Sequence, residues 1–154
     1  RLSILRRGKV FGRHIRALMV MHGVSTDSIR RFLSHRDSSV RVLAYQNLNQ
    51  TGLNVTEQGH GLIALLQKEG DQVVRSIGLS EVANLDSDGH LVVDILSFVE
   101  ESGVETSQLT SYFHFQLLKR EQGHGAGDSI VQRIRALPQF ELYAKFSSRH
   151  IKLG

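Results

Sequence analysis

Apolar residues along this chain recur mostly at the spacing of helix faces. Ile15, Leu18 and Met19, with Val20 and Met21 beside them, mark an amphipathic helix over His14 to His22 that Gly23 ends. Ser25 or Thr26 can cap a second, short helix that turns Ile29, Phe32 and Leu33 inward and leaves Arg30 and Arg31 in solvent. The stretch from Asn47 to Gly61 is polar and reads as a loop. After it, Leu62, Ile63, Leu65 and Leu66 crowd one helical stretch that closes at Gly70. Gln72 to Ile77 is rich in branched residues and predicts a strand.

The second half follows a similar order. Leu91, Ile95, Leu96, Phe98 and Val99 predict the inward face of a helix over Leu91 to Glu101, stopped by Ser102 and Gly103. Thr106 or Ser107 can cap a short helix carrying Leu109, Tyr112 and Phe113. A glycine-rich stretch runs from Gly123 to Gly127, and Asp128 can cap a helix holding Ile130, Val131, Ile134 and Leu137. Pro138 stops that helix, and Phe140 to Phe146 can pair with Arg149 to Leu153 as a hairpin around Ser147 and Ser148. Gly-Val stands at the same place in both halves, at 23 and 24 and again at 103 and 104, a period of 80 residues carried by pattern more than by identity.

Helix, helix, helix and hairpin is the order of a winged helix, in which two crossed helices and a third form a small core sealed by a β-wing. The expected fold class is therefore mainly α with small β-wings, an α+β arrangement of tandem winged-helix units. Residues 1–10 form a basic arm, 11–90 the first unit and 91–154 the second. A single irregular helical domain is the alternative.

The second half resembles the LOTUS (OST-HTH) type of winged helix and related small winged helices of RNA-regulatory proteins. The resemblance is carried by DILSFVEESG, SQLTSYF, SIVQRIRAL and the following PQFELYAKFSSRHIKL. The first half is similar more loosely, through LMVMHG, DSIRRFL, GLIALLQKEG and DQVVRSI. The segments Gln46 to Gln58 and Gln116 to Ala126 are longer than a compact member carries. The resemblance implies binding of RNA, a protein contact on another face, and no catalysis.

Charge changes this picture by giving it a location. The chain of 154 residues carries 19 Lys and Arg against 15 Asp and Glu, a net +4. Ten basic and two acidic residues fall in 1–41, two basic and nine acidic in 42–104, and seven basic and four acidic in 105–154. Fourteen of the cations are arginine, whose planar fork matches phosphate geometry. Candidate nucleic-acid contacts in the first part are Arg6, Arg7, Lys9, Arg13, Arg30, Arg31, Arg36 and Arg41, with Arg16 in the same block. In a winged helix the third helix reads bases while wing and termini hold phosphates, which in the second unit selects Gln132, Arg133 and Arg135 and then Lys145, Arg149 and Lys152. The acidic middle, with Glu81, Asp86, Asp88, Asp94, Glu100, Glu101 and Glu105, can dock a basic protein partner or a second copy.

Other chemistry finds little footing. There is no cysteine, hence no disulfide, thiol nucleophile or thiolate metal site. The eight histidines include no His-x-x-x-His pair, and no GxSxG elbow is present. Gly59 to Gly61 and Gly123 to Gly127 precede expected helices, where free amides can hold a phosphate, yet neither continues as a phosphate-binding loop; flexible connection is the better reading. Asn84, Asp86, Asp88 and Gly89 match the first half of a calcium loop, but its twelfth position is Ile95 where a bidentate Glu is needed, which favours a plain turn. A hydrophobic share of 40% with 22% charged residues predicts a folded chain, and no apolar run reaches the ~18 residues of a membrane span. The chain opens on Arg1, as a stretch cut from a longer protein would, and an intracellular setting, cytoplasmic or nuclear, is expected. The expectation is thus a non-catalytic, cofactor-free module that binds nucleic acid, RNA ahead of DNA, with a protein-interaction module as the alternative. The oligomeric state is left open.

Overall fold

A computed structural model describes residues 26–105, 107–124 and 128–137. The basic arm, the helix expected over 14–22, Pro138 and the hairpin expected over 140–153 lie outside the described residues. The chain divides into two compact units between Ser87 and Asp88, where the sequence pattern had placed the boundary at residues 90 and 91.

In the first unit the described elements are α1 (Thr26–Leu33), α2 (Ser38–Gln46), a 3-10 turn (Leu48–Gln50), α3 (Val55–Gln67) and α4 (Gln72–Leu85). Three of these helices start on an Asp or Asn side chain that accepts from their free amides. Asp37 takes Ser39 N at 2.9 Å, Asn54 takes Thr56 N at 3.0 Å, and Asp71 takes Val73 N and Val74 N at 2.9 and 3.1 Å. α4 packs along both α2 and α3, while α1 packs on α2. Ile29, Leu33, Ala44, Tyr45, Leu48, Leu66, Val74, Leu79 and Val82 fill the space between them. Each large side chain removed from water here contributes about 2 kcal/mol. α4 reaches α2 and α3 closely because Gly78 has no side chain: a Cβ there would lie 2.5 Å from Leu66 Cδ2 and 3.2 Å from the Tyr45 ring. Burial holds the Tyr45 hydroxyl well above the ordinary phenol range.

The second unit contains α5 (Val92–Ser102), a 3-10 turn (Ser107–Leu109), α6 (Thr110–His124) and α7 (Ser129–Arg135). Gly103 ends α5 at φ 62°, the left-handed position that glycine occupies without a steric penalty. Asp128 caps α7 by accepting from Ile130 N at 2.9 Å. α7 packs on α5 and α6, burying Val131, Ile134 and Leu137 with Leu91, Ile95, Leu96, Phe98, Val99, Leu109 and Phe113.

Every regular element among the described residues is helical, so the expected fold with β-wings does not hold. The decisive segment is Gln72 to Ile77, which forms the first turns of α4 and not a strand. Two physical signals outweigh its branched residues. Asp71 satisfies two amides at once, and the apolar positions Val74, Gly78, Leu79, Val82 and Ala83 continue at helical spacing through the segment beyond Ile77. Val74 and Gly78, one helical turn apart, are both buried, while Val73 is 61% exposed.

Two expected loops are also helix. Residues 55–61 belong to α3, and residues 116–124 extend the expected short helix into the fifteen residues of α6. α2 was not anticipated at all. No described helix is long and apolar enough to cross a membrane.

Candidate nucleic-acid interface

The basic residues chosen from sequence fall into two groups with different surroundings. Arg30 and Arg31 stand exposed on α1, Arg36 is exposed in the connection to α2, and Lys68 is exposed at the C-terminal end of α3. Among the described residues these four side chains make no hydrogen bond or ion pair. Lys68 is not among the contacts that the sequence pattern selects.

Arg41 shares their unit and differs completely. Its Nε and Nη2 each donate at 2.8 Å to the two carboxylate oxygens of Glu69, and Nη1 donates to the carbonyls of His35 at 2.7 Å and Arg36 at 3.1 Å. The two side chains are only 16% and 8% exposed. Glu69 also accepts from Asp71 N at 3.1 Å. Arg41 thereby ties the α1–α2 connection to the α3–α4 connection, and the hydrogen bonds it donates to Glu69 raise its pKa above the ordinary value. With both edges of its guanidinium in use, Arg41 is a structural clamp more than a free phosphate donor.

In the second unit the described cations are all engaged. Arg133 Nε donates to Glu100 Oε1 at 3.1 Å, its Nη2 also meets Glu100 and reaches Ser97 Oγ at 3.3 Å, and the Glu100 hydrogen bond raises its pKa. Arg135 pairs with Glu121, and Arg120 with Asp128 at 3.4 Å. Lys119 Nζ donates to the Asp88 carbonyl at 3.1 Å. Gln132 is exposed on α7. Arg6, Arg7, Lys9, Arg13, Arg16, Lys145, Arg149 and Lys152 lie outside the described residues.

The same pairings draw on the acidic middle. Glu69 and Glu100 are bound to arginines of their own units, and Asp86 is 2% exposed at the end of α4. Asp88, Glu101 and Glu105 are exposed in the second unit. The calcium-like segment is a turn in which Gly89 adopts φ 79° beneath the buried Gln116 side chain. No cluster of three or more metal-ligating side chains occurs among the described residues.

Beside the free cations of the first unit lies a groove of about 320 Å³ between α1 and α3. Ile29, Leu53, Leu62 and Leu65 give it apolar walls, and Arg30, Ser34 and Lys68 line it as well. Gly61 opens on it, where an added Cβ would meet only Arg30 Nη2, at 3.8 Å. Sequence reasoning missed this groove because it read residues 47–61 as a loop and so left Gly61 outside any helix. The signal was present: Asn54 followed three residues later by Glu57 is a helix-start pattern. It also removes the phosphate reading of Gly59 to Gly61, since these residues lie inside α3 and not before its first turn.

No protein-family model matches the chain, and neither a curated protein nor a solved structure is significantly similar to it. The LOTUS resemblance therefore rests on the residue pattern by itself.

Proposed function

We propose that this chain is a non-catalytic nucleic-acid-binding module whose contact surface, in the described part, is the basic edge of the first unit. One observation carries the reading: among the described residues Arg30, Arg31, Arg36 and Lys68 are exposed without a carboxylate partner, while Arg120, Arg133 and Arg135 of the second unit are paired. A free guanidinium meets a phosphate without first giving up an existing bond. A paired one has to exchange Glu100 or Glu121 for it.

RNA stands ahead of DNA. α7, the helix expected from the sequence to enter a duplex groove, has both its arginines bonded to carboxylates of its own unit. Sequence-specific RNA recognition mostly targets single strands and loops, which offer phosphates and unstacked bases together.

The test is fluorescence polarisation of the whole chain against labelled single-stranded RNA, single-stranded DNA and duplex, at several salt concentrations. Replacing the four cations by Ala reduces the steepness of log affinity against log salt by about 2.8, which is 0.7 for each single-strand contact. If no nucleic acid binds at ~50 mM salt, where such contacts are strongest, the reading fails and the protein-contact alternative replaces it.

A further inference from the structure

We propose that the groove between α1 and α3 receives one unstacked base of a single strand, with the adjoining phosphate held by Arg30 and Lys68. The inference rests on the nucleic-acid reading above and deepens it by naming the place where an unstacked base would sit.

Three features of the groove converge on this ligand. Its volume of about 320 Å³ is of the size that takes one small planar group rather than a peptide helix. Its walls are the aliphatic side chains of Ile29, Leu53, Leu62 and Leu65, which reward a group that leaves water. Arg30 and Lys68 line the same groove and have no acidic partner among the described residues, so an apolar interior and anion-seeking groups belong to one groove. A base joined to its phosphate has this split character. Arg30 suits the junction doubly, because its planar guanidinium stacks on a base as readily as it bonds a phosphate. Gly61 keeps the wall open, since any larger side chain on that turn of α3 projects toward Arg30. A paired duplex presents phosphates to the same cations but keeps its bases stacked inside, so it gains the edge without the groove.

The experiment compares a 12-nucleotide single-stranded RNA, the same strand with abasic sites, and the matching duplex, each labelled and titrated with the whole chain at one salt concentration. The expected result is that the intact single strand binds about ten-fold tighter than either the abasic strand or the duplex, the order of effect expected from burying part of a base against aliphatic walls. Gly61→Leu, which fills the groove, removes that advantage and leaves duplex affinity and the helical circular dichroism unchanged. Ala64→Leu, at an exposed position lining the same groove, makes the same blockade should the Gly61 variant not fold. Equal affinity for all three ligands overturns the base pocket while the phosphate reading stands, as does unchanged single-strand preference in a folded Gly61→Leu protein. Absence of binding to any of them overturns both.

Discussion

Among the described residues, Arg30, Arg31, Arg36 and Lys68 of the first unit stand in solvent without a carboxylate, whereas Lys119, Arg120, Arg133 and Arg135 of the second are each held by an oxygen of that unit. The sequence presents the two sets alike, as basic residues left over when a helix turns its apolar side inward. What separates them is the position of acids remote in the chain: Glu100 lies 33 residues from Arg133, and Glu121 lies 14 from Arg135. A helix face read by itself therefore reports exposure and not availability. Arg41 makes the same point inside the first unit, since it belongs to the most basic stretch of the chain and is nonetheless committed to Glu69.

The comparison can be strained first at Arg41. Arg41→Met leaves the carboxylate of Glu69, 8% exposed, without its partner, and is expected to cost about 3 kcal/mol of stability by urea unfolding. Adding Glu69→Leu recovers most of that loss, because the pair then leaves together. Neither variant changes the salt dependence of RNA binding, which separates the clamp from the free cations.

A smaller effect is expected in the second unit. Glu100 is 42% exposed, so the Arg133 pair is a surface ion pair and Arg133→Ala costs only about 0.5 kcal/mol by thermal unfolding, with RNA affinity unchanged. A fall in affinity with full stability would erase the distinction between the units.

The smallest effect is a pH dependence in the first unit. Burial raises the pKa of the Glu81 carboxyl above its ordinary value, so the folded chain holds that proton more tightly than the unfolded chain. Its influence is sign-definite: stability is highest below the unfolded carboxyl pKa and declines as pH rises through the folded value. Glu81→Gln is accordingly expected to raise Tm slightly at pH 7 and to leave it unchanged near pH 4, as read by parallel melts. A rise of equal size at both pH values would assign the gain to something other than charge.

Local signals in the sequence located α1, α5 and α7, together with the stops at Gly103 and Asp128's cap. In α5 an apolar period agrees with a glycine terminus, and in α7 an apolar period agrees with a side-chain cap. Misreading arose where such signals conflicted. At Gln72 to Ile77 a run of branched residues hid a helix whose apolar period becomes visible only with Leu79, Val82 and Ala83 included. α2 buries only Val40, Ala44 and Tyr45, too sparse a stripe to stand out, and α3 begins among polar residues and carries two glycines in its middle. The candidate site was half legible for a related reason. Arg30, Arg31 and Arg36 follow from exposure alone, but Lys68 and the groove depend on residues of α1 and α3 lining one cleft, which is a tertiary fact.

On the proposed reading the unpaired cations of the first unit, and not the paired ones of the second, hold the nucleic acid. Paired charge reversals measured against single-stranded RNA test it most directly, at ~150 mM salt where the Debye length is about 8 Å and remote charge is screened. Arg30→Glu with Arg31→Glu is expected to weaken binding about ten-fold or more. Arg133→Glu with Arg135→Glu is expected to leave affinity within about two-fold while lowering the Tm of the second unit. The opposite ranking, with the second pair carrying the affinity and the first pair silent, would contradict it.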